Sequence, residues 1–171
     1  PMCSPVSDGG AAAILCSEEA LDKFDRSRAI KISASVLTSG TNHAPELVEQ
    51  HITRIAALKA YNIAGIGPED ISVAEVHDAT AFGEILQTEN LGFCPMGEGG
   101  ALAESGETAL GGRIPVNSSG GLESKGHPVG ATGIGQIYEL AQQLRGEAGP
   151  RQVENARVAI AENGGGVYGI E

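Results

Sequence analysis

Asn117-Ser118-Ser119-Gly120-Gly121-Leu122-Glu123-Ser124-Lys125-Gly126-His127-Pro128-Val129-Gly130-Ala131-Thr132-Gly133 sets one histidine between a glycine and a proline, within a run of small residues. Glycine lets backbone approach a ligand closely and reach positive φ. A proline after the histidine fixes φ and suits the first turn of a helix. Val129, Ile134, Ile137, Leu140, Ala141 and Leu144 then recur at helical spacing. The pattern predicts a helix over 128–145, with the imidazole of His127 held on a rigid turn at its start. Helix starts favour anions and developing negative charge.

Working outward, residues 73–76 read as a short buried strand that ends at His77, and residues 81–91 as the next helix. Residues 46–64 read as a helix closed by Gly65-Ile66-Gly67-Pro68, a glycine cap followed by proline. Residues 157–161 and 167–170 read as two closing strands joined by a glycine hairpin. Nearer the start, residues 11–17 read as a buried strand and 18–24 as a short helix with Ser17 as N-cap. Residues 31–38 read as a strand with Ile30, Ile32, Ala34 and Val36 on one face. Residues 39–45 and 92–116 read as loops, and the second is long enough to be functional or mobile. Strands alternating with helices predict an α/β domain: one mixed five-stranded sheet with helices on both faces, spanning residues 1–171.

The chain has 171 residues, enough to bury one good core. Its formal charge of −11 argues against nucleic-acid binding, which needs a basic face, and disfavours docking on an anionic membrane. Cys3, Cys16 and Cys94 are too far apart for a zinc pattern and odd in number, so no metal site and no complete disulfide set is expected. A reducing, cytoplasmic setting is the simplest expectation. No apolar run is long enough to span a bilayer. The chain opens on Pro1 inside a glycine-rich motif, which suggests a piece of a longer protein.

The Gly126-His127-Pro128 turn resembles the Gly-His-Pro loop of the thiolases, and the whole chain resembles the C-terminal half of one. Three further segments agree in order and spacing. Ser4-Pro5-Val6-Ser7-Asp8-Gly9-Gly10-Ala11-Ala12-Ala13 is similar to the Ser-rich, Asp-Gly-Ala-Ala segment with which that half begins. Glu75-Val76-His77-Asp78-Ala79-Thr80-Ala81-Phe82 resembles the Asn-Glu-Ala-Phe or His-Asp-Cys-Phe block. Glu162-Asn163-Gly164-Gly165-Gly166 stands where thiolases carry a cysteine followed by glycines. The His-Asp form of the second block points to the sterol-carrier-protein, lipid-transfer-type branch.

The resemblance implies an acyl-CoA acyltransferase of the acetyl-CoA acetyltransferase type, making or breaking a carbon–carbon bond at a CoA thioester. It implies that the nucleophilic cysteine lies in the N-terminal half, absent here, so this chain alone is expected to be inactive. His127 would then be the base. From spacing alone it reads rather as a histidine bonded to backbone near a helix start. An imidazole's ordinary pKa of about 6.5 suits proton transfer near neutrality. His77, at a strand end where open α/β sheets bind ligands, would hold a water that binds the thioester or enolate oxygen. Asp78 would orient it or cap the helix beginning near Ala81. The resemblance places Ser4 near the pantetheine arm; Ser124 and Gly126 flank the turn and could approach a ligand, or be ordinary turn and cap residues. Lys125 could touch a phosphate.

Two departures stand out. Ala79 replaces the cysteine of the His-Asp-Cys block, and Glu162 replaces the cysteine that acts as acid and base at the α-carbon. Glu162 could shuttle that proton from a dry pocket, or be a strand-end carboxylate bonded to backbone N–H groups. Tyr168 is a weaker acid–base candidate. Cys94 has no neighbouring base and is read as structural. No permanently bound cofactor is expected, with coenzyme A as substrate. The N-terminal half and further copies of the chain are the expected partners. Two rival readings remain. One is a retro-aldolase on steroid or branched acyl-CoA esters working with a small partner protein. The other is a non-catalytic acyl-CoA-binding subunit.

Overall fold

The computed structural model describes residues 2–40, 44 and 46–165. Two short parallel strands lie at its centre, β1 (Val73–Glu75) and β2 (Ala159–Ala161), with Val73 opposite Ala159 and Glu75 opposite Ala161. Around them pack α1 (Ile52–Ala64), α2 (Ala81–Asn90), α3 (Gly99–Glu104), α4 (Gly121–Lys125) and α5 (Thr132–Arg145). β1 is buried on both faces, as parallel strands between helices are. Val116 adds a single parallel bridge to Ala74.

The helices form where the apolar period predicts, with boundaries set by their caps. α1 starts at Ile52 rather than 46, because His51 is extended and its ring accepts the Thr53 amide as N-cap. Gly65, at φ +70°, closes it in the left-handed conformation that glycine adopts freely. Thr80 caps α2 through the Gly83 amide at 2.9 Å. α5 starts at Thr132, a turn later than expected, so His127 precedes the helix rather than sitting at its mouth. Two helices went unforeseen. α3 lies inside the expected 92–116 loop, and α4 inside the glycine-rich stretch itself.

The five-stranded sheet is not what the described residues form. They hold a two-stranded sheet and isolated bridges. Residues 11–17 and 31–38 carry strand-like sequence but pair with no strand; Ile14 and Leu15 are largely exposed. Residues 18–24 make a 3-10 turn, Glu18–Lys23, with no amide donating to the Ser17 side chain as a cap. The expected 167–170 strand and Tyr168 lie outside the described residues.

The core fills the space between β1 and the helices. Ala57, Tyr61, Val76, Leu91, Phe93 and Ile114 form its larger cluster, and Val73, Leu140 and Val153 a second one beneath α5. Buried polar groups are bonded within this frame. The Tyr61 hydroxyl donates to Leu91 O at 2.8 Å. Gln143, fully buried on α5, donates to Arg151 O at 2.7 Å and accepts from the Val153 amide at 2.8 Å.

Candidate active site

β1 ends one residue before Val76, so the chain delivers His77 and Asp78 at the carboxyl edge of the central sheet. The stretch between α4 and α5 brings His127 to the same place. The two imidazoles meet edge to face, with ring centroids 4.9 Å apart and planes at 90°. Fifty residues separate them in sequence, and the fold places them in contact.

His127 is anchored on both sides. Its amide donates to Pro5 O at 2.9 Å, and Val6 bridges it in parallel register. Its Nδ1 lies 2.7 Å from Thr132 Oγ1, whose own hydrogen points to Pro128 O at 3.2 Å. When the threonine hydrogen goes to Pro128 O, Nδ1 donates to Thr132 and Nε2 keeps its lone pair. That tautomer is the one a general base needs. The N-terminal segment packs tightly here. A side chain at Gly9 would put a Cβ 2.8 Å from the Pro128 ring, and one at Gly126 would meet Ser7 Oγ at 2.5 Å. Gly126, at φ +90°, also needs the freedom of glycine.

His77 is half-buried. Burial, and then the neighbouring His127, hold its pKa below the usual imidazole range. Its Nδ1 is buried and makes no hydrogen bond among the described residues. Leaving such an atom unpaired costs about 1–3 kcal/mol, so this ring retains a polar group for which the protein supplies no partner.

Asp78 caps a helix, but a different one from that expected. Its carboxylate accepts the Leu122 amide at 2.7 Å and the Glu123 amide at 3.3 Å, at the start of α4. A Cβ on Gly121 would overlap that carboxylate, which is why two glycines open this helix. Asn117 completes the joint. It sits at φ +52°, a conformation asparagine tolerates, accepts the Val76 amide and donates to Glu84, at 2.8 and 2.7 Å.

Glu162 directly follows β2. Its carboxylate accepts the His77 amide at 3.0 Å and the Thr53 hydroxyl at 3.3 Å. Burial pushes its pKa above the ordinary carboxylate range, although both hydrogen bonds pull the other way. Ser4 is close to the site through its backbone, its amide donating to Ala79 O at 2.9 Å. Ser124 is exposed and lines an open cleft of about 390 Å³ with Asp78, Glu84, Asn117 and Glu123, a lining that includes neither histidine. Lys125 is taken up by Ser119 Oγ at 2.6 Å and by the buried Glu75 at 3.7 Å. Burial raises the pKa of Cys94 and keeps its thiol protonated. Among the described residues no His, Cys, Asp and Glu cluster is placed to hold a metal ion, and no helix is long and apolar enough to cross a membrane.

Sequence reading missed Thr132, Thr53 and Gln136. Thr132 had a faint signal, a hydroxyl one turn beyond the Gly-His-Pro turn. The other two had none, because their partners lie far away in the chain.

Comparison with known proteins gives the family. Residues 33–170 match the family described as thiolase C-terminal domain-like. The chain belongs to the thiolase family. Sterol carrier protein 2 of Rattus norvegicus is 46% identical over 168 residues, covering 94% of this chain and 31% of the relative. The acetyl-CoA acetyltransferase of Methanothermobacter thermautotrophicus is 46% identical over 172 residues, covering 98% and 44%. Among solved structures, an Ltp2-ChsH2(DUF35) aldolase superimposes with a TM-score of 0.60 at 26% identity, over 64% of this chain and 28% of that one. This thiolase domain therefore spans less than half the length of those curated relatives.

Proposed function

We propose that this domain is the C-terminal part of a thiolase-like acyl-CoA acyltransferase that forms or cleaves a carbon–carbon bond at a CoA thioester. The observation that carries this reading is the pair of imidazoles at the sheet edge, one with a free Nε2 and the other with an unpartnered Nδ1. A cysteine from the N-terminal half takes the acyl group, and His127 removes its proton. His127 and a water held by His77 then stabilise the oxyanion or enolate. Ser4, Ser124 and Gly126 approach the coenzyme A arm, which enters as substrate. Glu162 stands at the position where a cysteine would serve the α-carbon. The exposed Ile14, Leu15 and Leu37 leave apolar surface for the N-terminal half to cover, and homo-oligomers are expected in the complete protein. Three unpaired cysteines support a cytoplasmic setting.

The test is thiolysis of acetoacetyl-CoA by the full-length protein. His127→Ala should lower kcat by about 10²–10⁴-fold, the usual contribution of a positioned base. A loss below about threefold removes His127 from this role.

A retro-aldolase with a small partner protein is the second reading. Similarity to the solved aldolase and the missing cysteines at positions 79 and 162 favour it. Release of an aldehyde or ketone from a β-hydroxyacyl-CoA would establish it. Tight CoA binding with neither reaction would instead favour a non-catalytic acyl-CoA-binding subunit.

A further inference from the structure

Glu162 makes four hydrogen bonds to three parts of the fold, β1 with its exit, α5 and α1. Its amide donates to Glu75 O at 2.8 Å, carrying the β1–β2 ladder one residue past the end of β2. Its carbonyl accepts Gln136 Nε2 from α5 at 2.9 Å. One carboxylate oxygen accepts the His77 amide, and the other the Thr53 hydroxyl in the first turn of α1. Gln136 is fully buried, and its oxygen is held in turn by Asn163 Nδ2 at 3.1 Å.

These bonds reach both histidines. His77 is held by its own amide. His127 is held through α5, because Thr132, which binds His127 Nδ1, lies one turn before Gln136 on the same helix face. Glu162 therefore bonds to the segments that carry both imidazoles, its carboxylate to the His77 amide and its carbonyl to α5, beside the ring contact and the Ser4–Ala79 and Pro5–His127 bonds. Each carboxylate oxygen already accepts a bond from the chain, one from a backbone amide and the other from the buried Thr53.

We infer that Glu162 is a positioning residue that sets the relation of His77 to His127, and that it is not the proton carrier for the substrate. This rests on the reading of the two histidines as the working pair. Displacing a reacting group by about 1 Å can lower a rate about 10²-fold, so a residue that only holds the pair still controls the chemistry.

The two roles separate on substitution. A glutamine at 162 can still accept the His77 amide through its oxygen and donate to Thr53 Oγ1 through its nitrogen, but it cannot carry a proton to or from a substrate. An alanine can do neither. In the full-length protein, Glu162→Ala should lower kcat by about tenfold to a hundredfold with little change in KM. Glu162→Gln should recover most of that loss, to within about threefold of the parent. Thr53→Val, which removes one of the two side-chain bonds and keeps the volume, should fall between them. It also supplies the reading if the alanine variant does not fold. Glutamine as damaging as alanine would overturn the inference and make Glu162 the proton carrier. Full activity in all three variants would overturn it as well. Crystal structures of the same variants give a readout that needs no turnover. The 4.9 Å imidazole separation should change in Glu162→Ala and persist in Glu162→Gln. If the parent protein shows no thiolysis, the proposed reaction fails, while this geometric test of Glu162 still stands. An unchanged separation in Glu162→Ala would overturn the positioning role on its own.

Discussion

Thr132 decides which nitrogen of His127 is free. With its hydroxyl hydrogen on Pro128 O, it accepts from Nδ1–H and leaves the Nε2 lone pair for the substrate side. Thr132→Val should lower kcat by about tenfold or more through misorientation, whereas Thr132→Ser should retain activity because the hydroxyl remains. Equal activity in the valine and serine variants would show that the ring is oriented by other contacts. Asp78 acts at the same scale but on stability. Asp78→Ala leaves the Leu122 and Glu123 amides without acceptors, the first of them buried, and should cost about 1–3 kcal/mol. Denaturant unfolding of the two proteins measures that difference, and an unchanged midpoint would mean that water replaces the cap.

The loop that carries His127 is held between the N-terminal segment and the joint of Asp78 with α4. The N-terminal segment lies against it through Pro5 O and through the contact of Gly9 with the Pro128 ring. Gly9→Ala forces that ring or its own backbone to shift, at about 1–3 kcal/mol for overpacking. It should lower Tm and kcat together, because the displaced proline adjoins His127. Calorimetry and thiolysis on one preparation check the pair, and a change in Tm alone would mean that the loop absorbs the shift elsewhere. On the other side, α4 is pinned by Asp78 and by Leu122, which is wholly buried. The short helix is thus held by tertiary bonds rather than by its own propensity, as five residues are too few to be helical alone.

Across the molecule, burial raises the pKa values of Glu75, Asp78, Glu84 and Glu162 together. A carboxyl whose folded pKa exceeds its unfolded value contributes stability that is complete below the unfolded pKa and is lost as pH rises through the folded one. His77 works in the opposite sense. Its lowered pKa favours the neutral ring, so its contribution is lost as pH falls below about 6.5. The exposed carboxylates with lowered pKa, Glu19, Asp25 and Glu147, have finished titrating above about pH 4.5 and no longer alter the balance. Four carboxyls against one imidazole predict that Tm falls as pH rises from about 5 to about 8. Glu84→Gln, which preserves the bond from Asn117, should flatten that slope. A Tm independent of pH over this window would contradict the account. The net charge of −11 adds self-repulsion in the same direction.

Sequence alone determined the thiolase family, the Gly-His-Pro turn, and the location of α1, α2 and α5, because apolar period, capping residues and closing glycines act within a few residues of one another. It also located His77 at a strand end, since a short buried run before a helix signals a sheet edge. Tertiary structure alone decided what those residues touch. Asp78 caps a helix 44 residues away rather than the one beside it, and Glu162 bonds partners 85 and 109 residues away. No local pattern encodes such pairings. The same reason explains the strands at 11–17 and 31–38 that did not form. A strand is completed by a neighbour, and its pattern of side chains states a preference for a half-buried sheet surface without providing one.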